Sequence, residues 1–80
     1  MATILVEVQL YAELRKKLPG WNKVAQIPLK EGTTVREFLG SIGVHNLNEY
    51  MFVLNGKGAD ADTSFQHGDR IAVFPAMEGG

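Results

Sequence analysis

The chain has 80 residues, no cysteine, 8 Lys and Arg against 9 Asp and Glu, and 45% hydrophobic residues. That length fits one domain and leaves little room for a deep, walled pocket, while a formal charge of −1 gives no electrostatic reason to expect nucleic acid or an anionic membrane as partner. No apolar run approaches a membrane span, Met1 to Glu7 lacks the basic region of a signal peptide, and zero Cys forbids disulfides, so a cytoplasmic domain is expected.

Ile4, Val6, Val8 and Leu10 alternate with Leu5, Glu7 and Gln9, the period of a strand with one buried face. Ala12 to Leu18 carries good helix formers and stops at Pro19-Gly20, which reads as a short helix and a turn. Val24 to Leu29 reads as a second strand, antiparallel to the first. Pro28 cannot donate to a ladder, which places this strand at a sheet edge. Thr34-Val35-Arg36-Glu37 fits a capping box, and Val35, Phe38, Leu39 and Ile42 follow as one apolar stripe of a helix over Thr34–Ile42. Gly43 suits a left-handed cap, and Gly40 implies close packing against the sheet. Tyr50 to Leu54 is a strand stopped by the hairpin signal Asn55-Gly56. Lys57 to Gln66 reads as a polar loop anchored by Phe65. Gly68-Asp69 turns into a last strand, Arg70 to Phe74, which Pro75 blocks from extending. The order β-β-α-β-loop-β predicts an α+β fold, a mixed sheet crossed by one long helix with the first and last strands as central parallel neighbours. That arrangement is the β-grasp.

Most polar motifs have ordinary readings. His45 and His67 are far apart and lack nearby Cys, so no metal site is expected. Asp60-x-Asp62-x-Ser64 has Phe65 and Ile71 where a calcium loop needs Gly and Glu. Asn55-Gly56-Lys57-Gly58 lacks the first glycine and the Ser/Thr of a phosphate loop and is a turn. Arg15-Lys16-Lys17 is a solvated helix face or a docking surface for an acidic partner, with Trp21 the only aromatic nearby. No nucleophile–base arrangement can be assembled. The chain does not read as a freestanding enzyme.

The last residues are the least ordinary. The chain divides into a domain over 1–74 and an extended tail over 75–80 that closes on Gly79-Gly80. A frayed terminus is one reading. The other is a thin arm, roughly 20 Å long at ~3.3 Å per residue, that carries a carboxylate into another protein's active site. The expected partner-binding residues are Leu5, Phe74, Pro75, Met77 and Gly79. Phe74 either completes the core or docks on a partner.

Leu10-Tyr11-Ala12-x-Leu14-Arg15, Thr34-Val35-Arg36-Glu37-Phe38-Leu39, Val53-Leu54-Asn55-Gly56, Gly68-Asp69-Arg70-Ile71-Ala72-Val73-Phe74-Pro75 and Gly79-Gly80 span the whole chain. Together they resemble the MoaD/ThiS family of ubiquitin-like sulfur carriers, and are closest to MoaD, the small subunit of molybdopterin synthase. The pattern departs at Ala76, where MoaD tails commonly carry proline, and at Glu78, where a small residue is usual.

The resemblance implies a chemistry for Gly80. An E1-like enzyme of the MoeB/ThiF type, using its own ATP and Mg, would adenylate the terminal carboxylate. A sulfur donor protein would then convert it to a thiocarboxylate. In a MoaD-like role, the tail enters a large subunit of the MoaE type and gives its sulfur to a pterin precursor of the molybdenum cofactor. No cofactor is implied on this chain. The alternatives that the resemblance leaves are a ThiS-like carrier for thiamine thiazole synthesis, another sulfur or tungsten pathway, or a protein modifier conjugated through Gly80.

Overall fold

The alternation at the start of the chain becomes β1, Thr3–Leu10, with Ile4, Val6, Val8 and Leu10 buried. A computed structural model of the chain describes residues 2–11, 14, 16 and 24–76. β2, Val24–Lys30, pairs antiparallel with β1 and forms one edge of the sheet, with Pro28 opposite Leu5. An edge tolerates proline because its outer side needs no donor. The short helix expected over 12–18 falls almost wholly outside the described residues. Within it, Leu14 is buried and its N–H donates to the Tyr11 carbonyl.

The single α-helix among the described residues, α1, spans Val35–Ser41. Its capping box is complete: Glu37 N–H donates to Thr34 Oγ1 at 3.1 Å, and Thr34 N–H donates to Glu37 Oε1 at 3.0 Å. Val35, Phe38 and Leu39 are buried, whereas Ile42 is the half-buried C-cap. Gly43 follows at φ 90°. Its N–H donates to Gly40 and the Val44 N–H to Leu39, the paired bonds of a Schellman ending. Gly40 corrects the expectation of close packing against the sheet. A Cβ built there would meet only the His45 ring, at 3.9 Å.

After a 3-10 turn at Leu47–Glu49, β3 runs Tyr50–Leu54. Asn55 and Gly56 have φ 53° and 84°, the geometry of a tight hairpin turn. That turn leads into β4, Lys57–Ala59, a short strand where a loop was expected. Its sequence Lys-Gly-Ala has no strand propensity, so the hairpin register alone imposes it. β5 runs Arg70–Pro75, one residue past the expected stop, because Pro75 still lies opposite Tyr50.

The strand order is β2-β1-β5-β3-β4, with β1 and β5 parallel and every other pair antiparallel. This is the mixed five-stranded sheet of a ubiquitin-like β-grasp. The core lies between the sheet and α1, and Phe65 anchors the long loop within it at 2% exposure. The Phe65 ring meets Phe38 edge to face, centroids 6.2 Å apart. No helix among the described residues is long and apolar enough to cross a membrane.

Two substitutions in α1 should move stability in opposite directions. Phe38→Ala removes a ring at 2% exposure and should cost about 3–5 kcal/mol in denaturant unfolding. Gly40→Ala meets no closer neighbour than 3.9 Å and should stabilise the helix by about 0.5–1 kcal/mol.

Candidate docking face and C-terminal arm

Among the described residues α1 covers one side of the sheet, and the period-2 pattern of each strand turns its alternate side chains to the opposite face. On β1 that face carries Leu5, Glu7 and Gln9. β2 sets Pro28, Gln26 and Val24 opposite them in register. On the other side, Arg70 is level with Glu7 and Ala72 with Gln9. β3 adds Met51 beside Phe74 and Val53 beside Ala72. Three large apolar side chains lie open here: Leu5 at 42%, Val24 at 42% and Met51 at 50% exposure.

A row of polar contacts divides this apolar surface. Tyr11 Oη donates to Gln9 Oε1 at 3.0 Å, and Gln9 Nε2 donates to Glu7 Oε2 at 3.4 Å. Arg70 Nε lies 4.0 Å from the same Glu7 oxygen. Val24 and Pro28 flank the row on one side; Ala72, Phe74, Met51 and Val53 flank it on the other. Ala72 sits low between Gln9 and Val53, forming the floor of a shallow hollow.

Phe74 belongs to this outer face and not to the core. It is half-buried, and its ring stands edge-on to Tyr11 with centroids 5.6 Å apart. Pro75 is half-buried at the end of β5. Ala76 N–H donates to the Glu49 carbonyl at 2.9 Å, which holds the exit of the chain against the start of β3. Met77, Gly79 and Gly80 lie outside the described residues, as do Arg15, Lys17 and Trp21. The structure thus brings Leu5 and Phe74 onto one face, with Pro75 at its rim.

Sequence reasoning overlooked Val24, Met51 and Val53 as members of that face. The alternation within Tyr50-Met51-Phe52-Val53-Leu54 held the signal, since a buried Phe52 puts Met51 and Val53 on the opposite side. The sequence motifs around the turns have structural duties. Asn55 Oδ1 accepts from Arg70 N–H, and its Nδ2 donates to Asp69 Oδ1, both at 2.9 Å. Asp69 Oδ2 accepts from Gln66 N–H at 2.7 Å. Asp60 Oδ1 caps its own loop through Asp62 N–H and the Thr63 hydroxyl, and Asp62 pairs with Arg36 at 3.1 Å. Among the described residues no group of three or more His, Cys, Asp or Glu could hold a metal ion.

The arrangement offers recognition chemistry: an apolar face, a polar row, and a chain exit beside both. Comparison with known proteins agrees in fold. The ThiS family model matches residues 8–80. A Pyrococcus furiosus chain described as a molybdopterin converting factor, subunit 1, superposes with TM-score 0.71 at 22% identity, covering 92% of this chain and 99% of that one. Haloferax volcanii small archaeal modifier protein 1 superposes with TM-score 0.73 at 18% identity, covering 92% and 99%. The complex of subunits 1 and 2 of molybdopterin-converting factor from Helicobacter pylori gives TM-score 0.56 at 20% identity, covering 96% and 100%. No curated protein matches the chain in sequence.

Two truncations on β5 should separate core from face. Ile71→Ala empties a site at 1% exposure and should cost about 2–5 kcal/mol. Phe74→Ala loses a half-buried ring and its edge contact with Tyr11 and should cost about 1–2 kcal/mol. Equal losses in thermal unfolding would place Phe74 in the core after all.

Proposed function

We propose, because this chain belongs to the ThiS family, that it is a sulfur carrier whose Gly80 cycles between carboxylate and thiocarboxylate. The observation that carries the reading is the position of the exit. The central strand β5 delivers the chain at Ala76 to the rim of an exposed apolar sheet face. A partner docked on that face would receive Met77 to Gly80 at a fixed point on its own surface.

The chemistry rests on the poor reactivity of a carboxylate. An ionised α-carboxylate repels nucleophiles and has no good leaving group. In the proposed sequence, an E1-like enzyme joins the Gly80 oxygen to AMP and releases pyrophosphate. Hydrosulfide delivered by a donor protein then attacks the acyl carbon, the bond to AMP breaks, and the thioacid loses its proton to solvent. The product is the Gly80 thiocarboxylate. ATP and Mg belong to the activating enzyme, and this chain supplies the reactive end and the docking face. With no Cys in the sequence, no internal thiol competes for the sulfur. Gly79 has no Cβ and so fits a channel as narrow as the main chain.

For the acceptor we propose a large subunit of the MoaE type, which makes this chain the small subunit of a cytoplasmic molybdopterin synthase. The fold shared with a chain of the Helicobacter pylori complex of subunits 1 and 2 supports that choice. Conjugation of Gly80 to a target lysine is a second reading, supported by the likeness to the small archaeal modifier protein. Both share the activation step and differ in the nucleophile that then takes the acyl group, sulfur in one and a lysine amine in the other.

Intact-mass analysis of the protein from its native cell tells them apart. The carrier gains the mass of one oxygen replaced by sulfur; the modifier gives a ladder of heavier adducts. In a reconstituted ATP-dependent reaction with the cognate E1 enzyme and sulfide, one residue appended after Gly80 should abolish thiocarboxylation while leaving folding intact. The reacting carbonyl then moves about 3.5 Å, more than near-attack geometry tolerates. Gly79→Val should act likewise. Normal turnover of the extended chain, without trimming back to Gly80, would sink the carrier reading.

A further inference from the structure

Leu5 lies on the outer face, and its backbone amide is held by a side chain. The turn before β5 prolongs the parallel pairing with β1. Glu7 N–H donates to the Asp69 carbonyl and Gly68 N–H to the Leu5 carbonyl, each at 2.9 Å. A regular ladder would offer the Leu5 N–H a backbone carbonyl as its acceptor. Here the acceptor is Nδ1 of His67, at 3.1 Å. An imidazole can accept at Nδ1 only when neutral, with its proton on Nε2; the imidazolium donates from both nitrogens and accepts at neither.

We propose that His67 is a proton-sensitive positioning residue for the docking face. Neutral, it closes the last rung between the turn and β1 and fixes the backbone under Leu5. When Nδ1 takes a proton from solvent, N–H faces N–H, the rung opens, and the Leu5 amide turns to water. The rung exists with the ring neutral and is lost when Nδ1 carries a proton.

The surroundings give the displaced ring somewhere to go. Glu7 from β1, and Asp69 and Arg70 from the turn and β5, line one hollow with His67, and β2 adds the neutral Gln26. Asp69 is occupied by Asn55 and Gln66. Among the described residues Glu7 is held by contacts of 3.4 and 4.0 Å, so it is the carboxylate open to an imidazolium. The rung itself stands on geometry alone; its effect on docking rests on the carrier reading given above.

Nitrogen-15 NMR of the intact chain between pH 8 and pH 5 tests the rung. At neutral pH the ring nitrogens should report the proton on Nε2. The Leu5 amide shift should follow the His67 ring titration, and its exchange protection should fall about tenfold on the acid side. His67→Asn keeps an acceptor oxygen in place of Nδ1 without titrating, so Leu5 should stay protected and its shift flat. His67→Ala should leave Leu5 unprotected throughout. A proton on Nδ1 at neutral pH, or the same Leu5 pH course in wild type and His67→Asn, would overturn the proposal. Binding to the cognate activating enzyme is read separately: it should weaken with acid in wild type more than in His67→Asn. A Leu5 response without that difference overturns the link to docking. Failure of thiocarboxylation with an intact Leu5 response counts against the carrier reading alone.

Discussion

The parallel pairing of β1 with β5 is the contact on which the rest depends. It brings residues 7–10 against 70–73, almost the full length of the chain apart. Closing so long a loop costs conformational entropy before any contact rewards it. The reward is burial of Val6, Val8, Leu10, Ile71 and Val73 side by side in the middle of the sheet. Both hairpin-like halves then hang from this seam, β2 beside β1 and the β3–β4 hairpin beside β5. The seam also fixes the direction of β5, and so where the chain leaves the body.

Among the described residues a single short helix covers that sheet. Its first turn shows how the loop over residues 60–66 is recruited to help. The capping box satisfies Glu37 N–H, while Val35 N–H and Arg36 N–H donate to the carbonyls of Thr63 and Ala61. Phe65 N–H in turn donates to Thr33 and its ring fills the core beside Phe38. Helix start and loop therefore satisfy each other's backbone groups around the buried Phe65. The polar loop is thereby part of the core's wall.

Among the described residues α1 packs on one face of the sheet only. On the opposite face Leu5, Val24 and Met51 stay exposed, the kind of apolar surface that marks an interface. A polar row runs across this face. Glu7 is partly withdrawn from water already and only loosely paired. Any partner that buries it must bring a donor of its own or suffer the desolvation of a carboxylate. In the proposed docking, apolar area would supply adhesion, and the row from Tyr11 to Glu7 would discriminate among partners.

Much of this was legible in the residues alone. Alternation marked β1, the capping box and stripe marked α1, Pro28 marked an edge, and Asn55-Gly56 marked a hairpin, because each depends on neighbours close in sequence. The family pattern of Gly-Asp, strand, Phe-Pro and Gly-Gly was equally local. Other features were settled only by tertiary contacts. β4 exists because a hairpin register carries three poor strand formers alongside β3. Gly40, which suggested tight packing, faces only His45. Phe74 joined the outer face once the register against Met51 was set. The acceptor role of His67 for Leu5 joins residues 62 positions apart. Local sequence sets what each segment prefers; only the closing of the β1–β5 seam decides which side chains meet, because that seam is made of contacts between the chain's two ends.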